Sequence, residues 1–273
     1  MVFSTLISAN ELRAVQDPLI LDCSFDLADT AAGERSYAAG HIPGAFYLHL
    51  DRDLAGPKTG PDGSFRGRHP LPERADFAAL MRRLGLTARR QVVTCDRQGG
   101  MYAARAWWML RWLGHAEVAV LDGAWDGAWT TDLPTPRPSD WQPGEPLVRQ
   151  IDAATLRRQL GGVRVIDARA PERFRGDVEP LDRQAGHIPG AGNRFFKDNL
   201  GADGRFKSAA QLHAELLPLS GGTVVHQCGS GVTACHNLLA MAHAGLGGPD
   251  GGVLYPGSWS EWSADPARPI AKG

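Results

Sequence analysis

The sequence is poor in cysteine and has no block of like charge and no long apolar run. Its 273 residues hold four cysteines, at 23, 95, 228 and 235, with no Cys-x-x-Cys pair. That density is too low for a disulfide framework, and the spacing offers neither a thioredoxin-like dithiol nor a compact zinc site. Basic and acidic residues nearly cancel, 29 against 30, and no basic stretch suits a phosphate backbone, so no nucleic-acid partner is expected. No run approaches the roughly 18 apolar residues of a membrane span. The opening MVFSTLISANELRAV has no basic region before an apolar core, and Glu11 and Arg13 come early. No signal peptide or membrane partner is therefore expected, and cytoplasm is the expected compartment.

What is present is a globular composition, 43% apolar and 22% charged, over about twice a typical domain length. The chain is also written twice. GHIPGA occurs at 40–45 and 186–191, LILDCS (19–24) matches VRVIDAR (163–169), RQVVTCD (90–96) matches GTVVHQC (222–228), and VLDGAWDGAW (120–129) matches LYPGSWSEW (254–262). Four landmarks in one order indicate an internal repeat. The first two recur at an offset of about 145 and the last two at about 133, so the first copy has a loop longer by roughly a dozen residues near 50–72. Loops of that length are usually lids or binding loops. The five prolines of 130–146 mark a linker. Two domains are expected, at 1–130 and 147–273, joined by 131–146 and packed with approximate two-fold symmetry.

Short apolar runs alternate with helical patterns at 75–85, 101–114, 152–162, 208–219 and 233–245. The alternation predicts an α/β fold, each domain a mainly parallel sheet flanked by helices. Asp152 and Ser208 are expected caps, and Gly245 a helix stop.

Cys228 falls where such a strand runs into a helix, the edge at which parallel sheets collect ligands. The small residues of GSGVT, with Gly229 and Gly231, let backbone N–H groups turn inward toward an anion. With the following helix N-terminus they favour a thiolate and predict a lowered Cys228 pKa, as a nucleophile needs. A buried structural thiol beside an ordinary turn is the alternative. A cysteine phosphatase would place Arg where Ala234 stands, and a phosphate-binding P-loop would require Lys, so phosphoryl chemistry is disfavoured. In the first copy Asp96 aligns with Cys228 and Cys95 with Gln227, which confines covalent chemistry to the second copy. Cys23 and Cys95 read as structural thiols at strand ends.

GHIPGA in both halves, DARAPERFRG at 167–176 and CGSGVTAC at 228–235 together resemble the two-domain rhodanese-type sulfurtransferases, most nearly those acting on 3-mercaptopyruvate. The resemblance covers nearly the whole chain. It implies tandem rhodanese-like domains, a non-catalytic first and a catalytic second. It implies that Cys228 takes sulfur from a small-molecule donor as a persulfide and passes it to a thiol, thioredoxin-like or cyanide acceptor, without a cofactor or metal; a monomer is compatible with the sequence, which does not fix the oligomeric state. Gly229 and Ser230 stand where thiosulfate-type members carry basic residues, which suits a monoanionic α-keto acid. Arg173 matches the position that binds the donor's carboxylate, and Arg183 fits a second binding arginine only approximately. Ser230, His69 and Asp51 match a Ser–His–Asp set, with Asp53 an alternative acid. Gly229, Gly231, Val232 and Thr233 would supply backbone donors. His41 and His187 of GHIPGA read as structural, Arg169 as a structural ion-pair partner, and Trp259 as a border of the cleft. The rival readings are a thiosulfate-preferring enzyme of the same fold and a non-enzymatic persulfide carrier or interaction module.

Overall fold

The computed structural model describes residues 2–247 and 252–273. The apolar runs form two parallel sheets of identical topology. The first comprises β1 (Leu6–Ile7), β2 (Leu19–Asp22), β3 (Phe46–Tyr47), β4 (Val92–Cys95) and β5 (Val118–Leu121), in the order β1-β5-β4-β2-β3. The second comprises β6 (Arg149–Gln150), β7 (Arg164–Asp167), β8 (Gly192–Asn193), β9 (Val224–Gln227) and β10 (Val253–Leu254), in the order β6-β10-β9-β7-β8. Strands β2, β4, β5 and β9 are buried along their whole length. Burial on both faces is why they read as unbroken apolar runs rather than alternations. The central strands, β4 and β9, end at Cys95 and Gln227, so Asp96 and Cys228 are matching first residues beyond each sheet.

Helices α1 (Ala9–Ala14), α2 (Ala32–Ala39), α3 (Leu50–Asp53), α4 (Arg74–Arg83) and α5 (Ala103–Trp112) belong to the first sheet's unit. Helices α6 (Ala153–Gln159), α7 (Pro171–Arg175), α8 (Ala209–Leu216), α9 (Thr233–His243) and α10 (Ser258–Trp262) belong to the second's. The five expected helices form, somewhat shorter than their patterns because the patterns include the caps. Asp152 caps α6, and Ser208 with Gln211 makes a capping box on α8. Pro218 turns the expected end of α8 into a 3-10 turn, Leu217–Leu219.

The first compact unit gathers the described residues of Met1–Gly56, Leu71–Leu147 and Ala202–Arg205. The second gathers those of Pro57–Pro70, Val148–Gly201 and Phe206–Gly273. Most of the first copy's long loop is therefore part of the second unit, a departure from strict chain order that bears on the site. The proline-rich segment 131–144 has no helix or strand. It lies along the first unit: Ser139 N–H donates to the Arg82 carbonyl, Gly144 N–H to that of Leu113, and Trp141 meets the His115 ring edge-on.

GHIPGA does the same work in both units. The backbone of His41 exchanges two hydrogen bonds with Thr130, and that of His187 two with Ala271. Each imidazole Nδ1 bonds a helix carbonyl, Tyr37 at 3.0 Å and Phe174 at 2.8 Å. Each ring also stacks on that residue's ring, with centroids 3.9 Å apart in both cases. Each ring thus contributes a helix-carbonyl hydrogen bond and a stack, while the backbone ties the segment after the second strand of each sheet to Thr130 or Ala271. His187→Ala should therefore lower unfolding free energy by about 1–3 kcal/mol. Urea denaturation checks this, and a midpoint equal to wild type would show the ring to be dispensable.

Candidate active site

Cys228 is buried at 2% exposure, and its Sγ accepts a hydrogen bond from the Gly231 N–H at 3.2 Å. The loop closes because Gly231 has φ +79° and its α-carbon faces the Pro256 carbonyl; a Cβ there would stand 2.3 Å from that oxygen. Only glycine fits. Val232 and Thr233 open the 11-residue α9, whose first turn carries no acidic residue, so its N-terminal dipole is directed at the loop unopposed.

The loop is clamped by α10. Cys228 N–H donates to Ser258 Oγ at 3.1 Å, the Cys228 carbonyl accepts from Trp259 N–H and the Gly229 carbonyl from Ser260 N–H, both at 2.9 Å. Ser258 is fully buried and has φ +53°, an unfavourable conformation for a residue with a side chain. Trp259 does not border an open cleft as expected. It is fully buried, with its N–H on the Gln184 carbonyl and its ring under the Arg169 guanidinium. The recurrence of GAW (123–125) as GSW (257–259) marks this segment in the sequence, but nothing local indicates that it would hold the cysteine loop.

His69 is buried, and its Nδ1 shares a 2.7 Å hydrogen bond with Ser230 Oγ. The loop Pro57–Pro70 carries it there. Arg68 N–H donates to Ser260 Oγ at 3.0 Å, and Gly67 packs on the Gly257 carbonyl. Arg68 itself was not singled out by sequence. Its guanidinium pairs with Asp182 and lies over Gly229.

Arg173, in the last turn of α7, pairs with Glu179 at 2.6 Å and Asp182 at 3.2 Å. Arg169 pairs with Asp167 at 2.7 Å and Glu179 at 3.3 Å and donates to the Gly186 carbonyl, so its role is structural. Burial pushes the Asp182 carboxyl above the usual carboxylate range, against the pull of Arg68. Arg183 is exposed. The second unit thus brings together Cys228, Gly229, Ser230, Gly231, Val232, Thr233, His69 and Arg173. Asp51 lies on α3 of the first unit, its N–H donating to His49 Nδ1, while Asp53 accepts from the His49 N–H. Cys235 donates to the Gly231 carbonyl, and His236 stacks on Phe206. Burial alone lowers the His226 pKa to about 4.

The first unit shows what this cradle holds. Asp96 Oδ1 accepts from the N–H groups of Gln98 and Gly100, and Oδ2 from those of Tyr102 and Ala103, at 2.7–2.9 Å. The turn is an anion receptor filled by its own side chain. Burial raises the Asp96 pKa and the four donors oppose that rise. Burial also pushes the thiols of Cys23 and Cys95 well up, as inert structural cysteines require.

The rhodanese-like domain model matches residues 8–131 and 152–265. The Pseudomonas aeruginosa "Probable 3-mercaptopyruvate sulfurtransferase" is 47% identical over 289 residues, covering 100% of each chain. The Mycobacterium tuberculosis "Putative thiosulfate sulfurtransferase SseB" is 40% identical, covering 98% of this chain and 97% of its own. The structure of 3-mercaptopyruvate sulfurtransferase from Leishmania major superposes with a TM-score of 0.81 at 29% identity, over 96% of this chain and 74% of that one.

Replacing Asp96 by Asn puts an amide N–H₂ against two backbone donors. Asp96→Asn should destabilise the protein by about 2–4 kcal/mol, since hydrogen bonds to a charged group are lost and donors left unpaired. Thermal and urea unfolding measure it, and a wild-type midpoint would refute the receptor description.

Proposed function

Because the chain belongs to the rhodanese-like family and is a sulfurtransferase that moves sulfane sulfur, we propose that its donor is 3-mercaptopyruvate, carried through a Cys228 persulfide to a thiol, thioredoxin-like or cyanide acceptor. The observation that carries the choice of donor is charge. The loop Gly229–Thr233 has no charged side chain. Behind it Arg68, Arg169 and Arg173 are matched by Asp167, Glu179 and Asp182 in one chain of ion pairs. Such a balanced cluster suits a monocarboxylate better than a doubly charged thiosulfate.

The Cys228 thiolate attacks the donor sulfur, and the new S–S bond forms as the C–S bond breaks. The electron pair of that bond passes to the pyruvate enolate. The proton from the donor thiol reaches the enolate carbon through Ser230 and His69, which share a hydrogen bond at 2.7 Å. Pyruvate leaves, and the outer sulfur of the persulfide takes up donors of the cradle such as the Gly231 N–H. An acceptor thiolate then attacks that sulfur and displaces the Cys228 thiolate, giving ping-pong kinetics. Asp51 is the proposed acidic member of the set.

Thiosulfate remains the alternative donor, since relatives are named for both substrates. Comparing kcat/KM separates them. Mercaptopyruvate should be favoured by about tenfold or more, and a strong preference for thiosulfate would remove the assignment. Intact mass should show one added sulfur atom on the donor-treated enzyme and none on Cys228→Ser; full activity in that variant would defeat the mechanism.

Ser230→Ala breaks the relay. It should lower kcat with mercaptopyruvate by about 10²-fold and leave thiosulfate turnover nearly unchanged, because sulfite leaves without needing a proton on carbon. Equal losses with both donors would contradict a role in proton transfer.

A further inference from the structure

We propose that Arg68 is the second cation of the donor-carboxylate site, aligned with Arg173 by a shared Asp182, and that it sets the preference for a monocarboxylate donor. The inference rests on Cys228 being the sulfur carrier. The sequence offered Arg183 for this role, but Arg183 is exposed, and it is the preceding residue, Asp182, that is turned inward at 4% side-chain exposure. Its two carboxylate oxygens go to different arginines, Oδ1 to Arg68 Nη1 and Oδ2 to Arg173 Nη2. One carboxylate therefore sets two guanidinium groups side by side.

Both arginines converge on the residue after the nucleophile. A Cβ on Gly229 would stand 2.8 Å from Arg68 Nη2, 3.5 Å from Arg173 Nη1 and 3.7 Å from Arg173 Nη2. Asp182 and Glu179 take Arg68 Nη1 and Arg173 Nε and Nη2, so Arg68 Nη2 and Arg173 Nη1 are the corners turned to the loop. Their side chains stay 21% and 18% exposed, so neither cation is sealed from a ligand. Two planar forks beside Gly229 suit a carboxylate next to a keto group.

Arg68 is also preorganised. Its own N–H is held by Ser260 Oγ, and the next residue, His69, is held by Ser230. The same two-residue arm thus carries the carboxylate-binding cation and the proton relay, which fixes the donor's carboxylate relative to the carbon that receives the proton.

Alkylation of Cys228 tests the assignment independently of the donor. Iodoacetate carries a carboxylate and iodoacetamide does not, so the ratio of their inactivation rates reports the cation. Arg68→Met should lower that ratio about tenfold while the iodoacetamide rate holds, and raise KM for mercaptopyruvate about tenfold with kcat within about twofold. Arg183→Met should change neither. If Arg68→Met disturbs the iodoacetamide rate, Arg68→Gln, which can still bond Asp182, is read in its place. An unchanged ratio, or an equal fall in Arg183→Met, overturns the proposal. So does loss of iodoacetamide reactivity in both Arg68 variants, which would make Arg68 a structural support. A wild-type enzyme inert to mercaptopyruvate whose ratio still depends on Arg68 would overturn the donor assignment alone and leave the clamp standing.

Discussion

A parallel strand that turns tightly into a helix gathers unpaired backbone N–H groups at one point, and that point needs negative charge. The rest of the molecule is arranged around this requirement. Both sheets place the turn at the end of their central strand, after Cys95 in one copy and Gln227 in the other. In the first copy the Asp96 carboxylate takes four of the donors. In the second a sulfur occupies the position, bonded by the Gly231 N–H. The same backbone feature thus holds a carboxylate plug in one unit and, in the other, the sulfur proposed to react.

The charges near that centre follow a second constraint. Buried ions are tolerated when paired on every side, and breaking one pair is costly because its partner is left uncompensated. Asp167, Arg169, Glu179, Arg173, Asp182 and Arg68 satisfy it as an unbroken chain of alternating sign. Arg169 at one end is sealed against the sheet and Trp259. Arg68 and Arg173 at the other are partly open. The inner members of the chain therefore hold the outer arginines in fixed positions.

Much of this was legible in the sequence for identifiable reasons. The fully buried strands leave apolar runs, the capping residues Asp152 and Ser208 mark helix starts, and the duplication exposes Asp96 as the counterpart of Cys228. Long-range contacts left no such trace. The length of the Gly/Pro-rich loop marks a lid or binding loop, but nothing in it shows that Gly67 packs on the Gly257 carbonyl. The segment 177–185 forms no helix or strand, so no periodicity reveals which of Asp182 and Arg183 is turned inward. The charged neighbours differ by one position and by opposite sign, and the structure turns Asp182 inward and leaves Arg183 exposed. Trp259 looked like a cleft residue because its motif follows the last strand, but its backbone and indole are both consumed in holding the loop.

The two copies also differ in how the cradle is held. Asp96 accepts from four backbone N–H groups of its turn, where Cys228 Sγ accepts from the N–H of Gly231, and the second turn takes further support from outside itself. Helix α10 supplies it through Ser258, Trp259 and Ser260, at the cost of a left-handed Ser258 worth about 1 kcal/mol or more. Residues 122–129, the matching stretch of the first copy, form no helix. A turn closed by its own aspartate does not require that clamp. In the mechanism proposed here the outer persulfide sulfur draws on the donors of this turn, so the turn also serves the covalent intermediate. Binding energy directed to that covalent intermediate is placed where a sulfur carrier needs it.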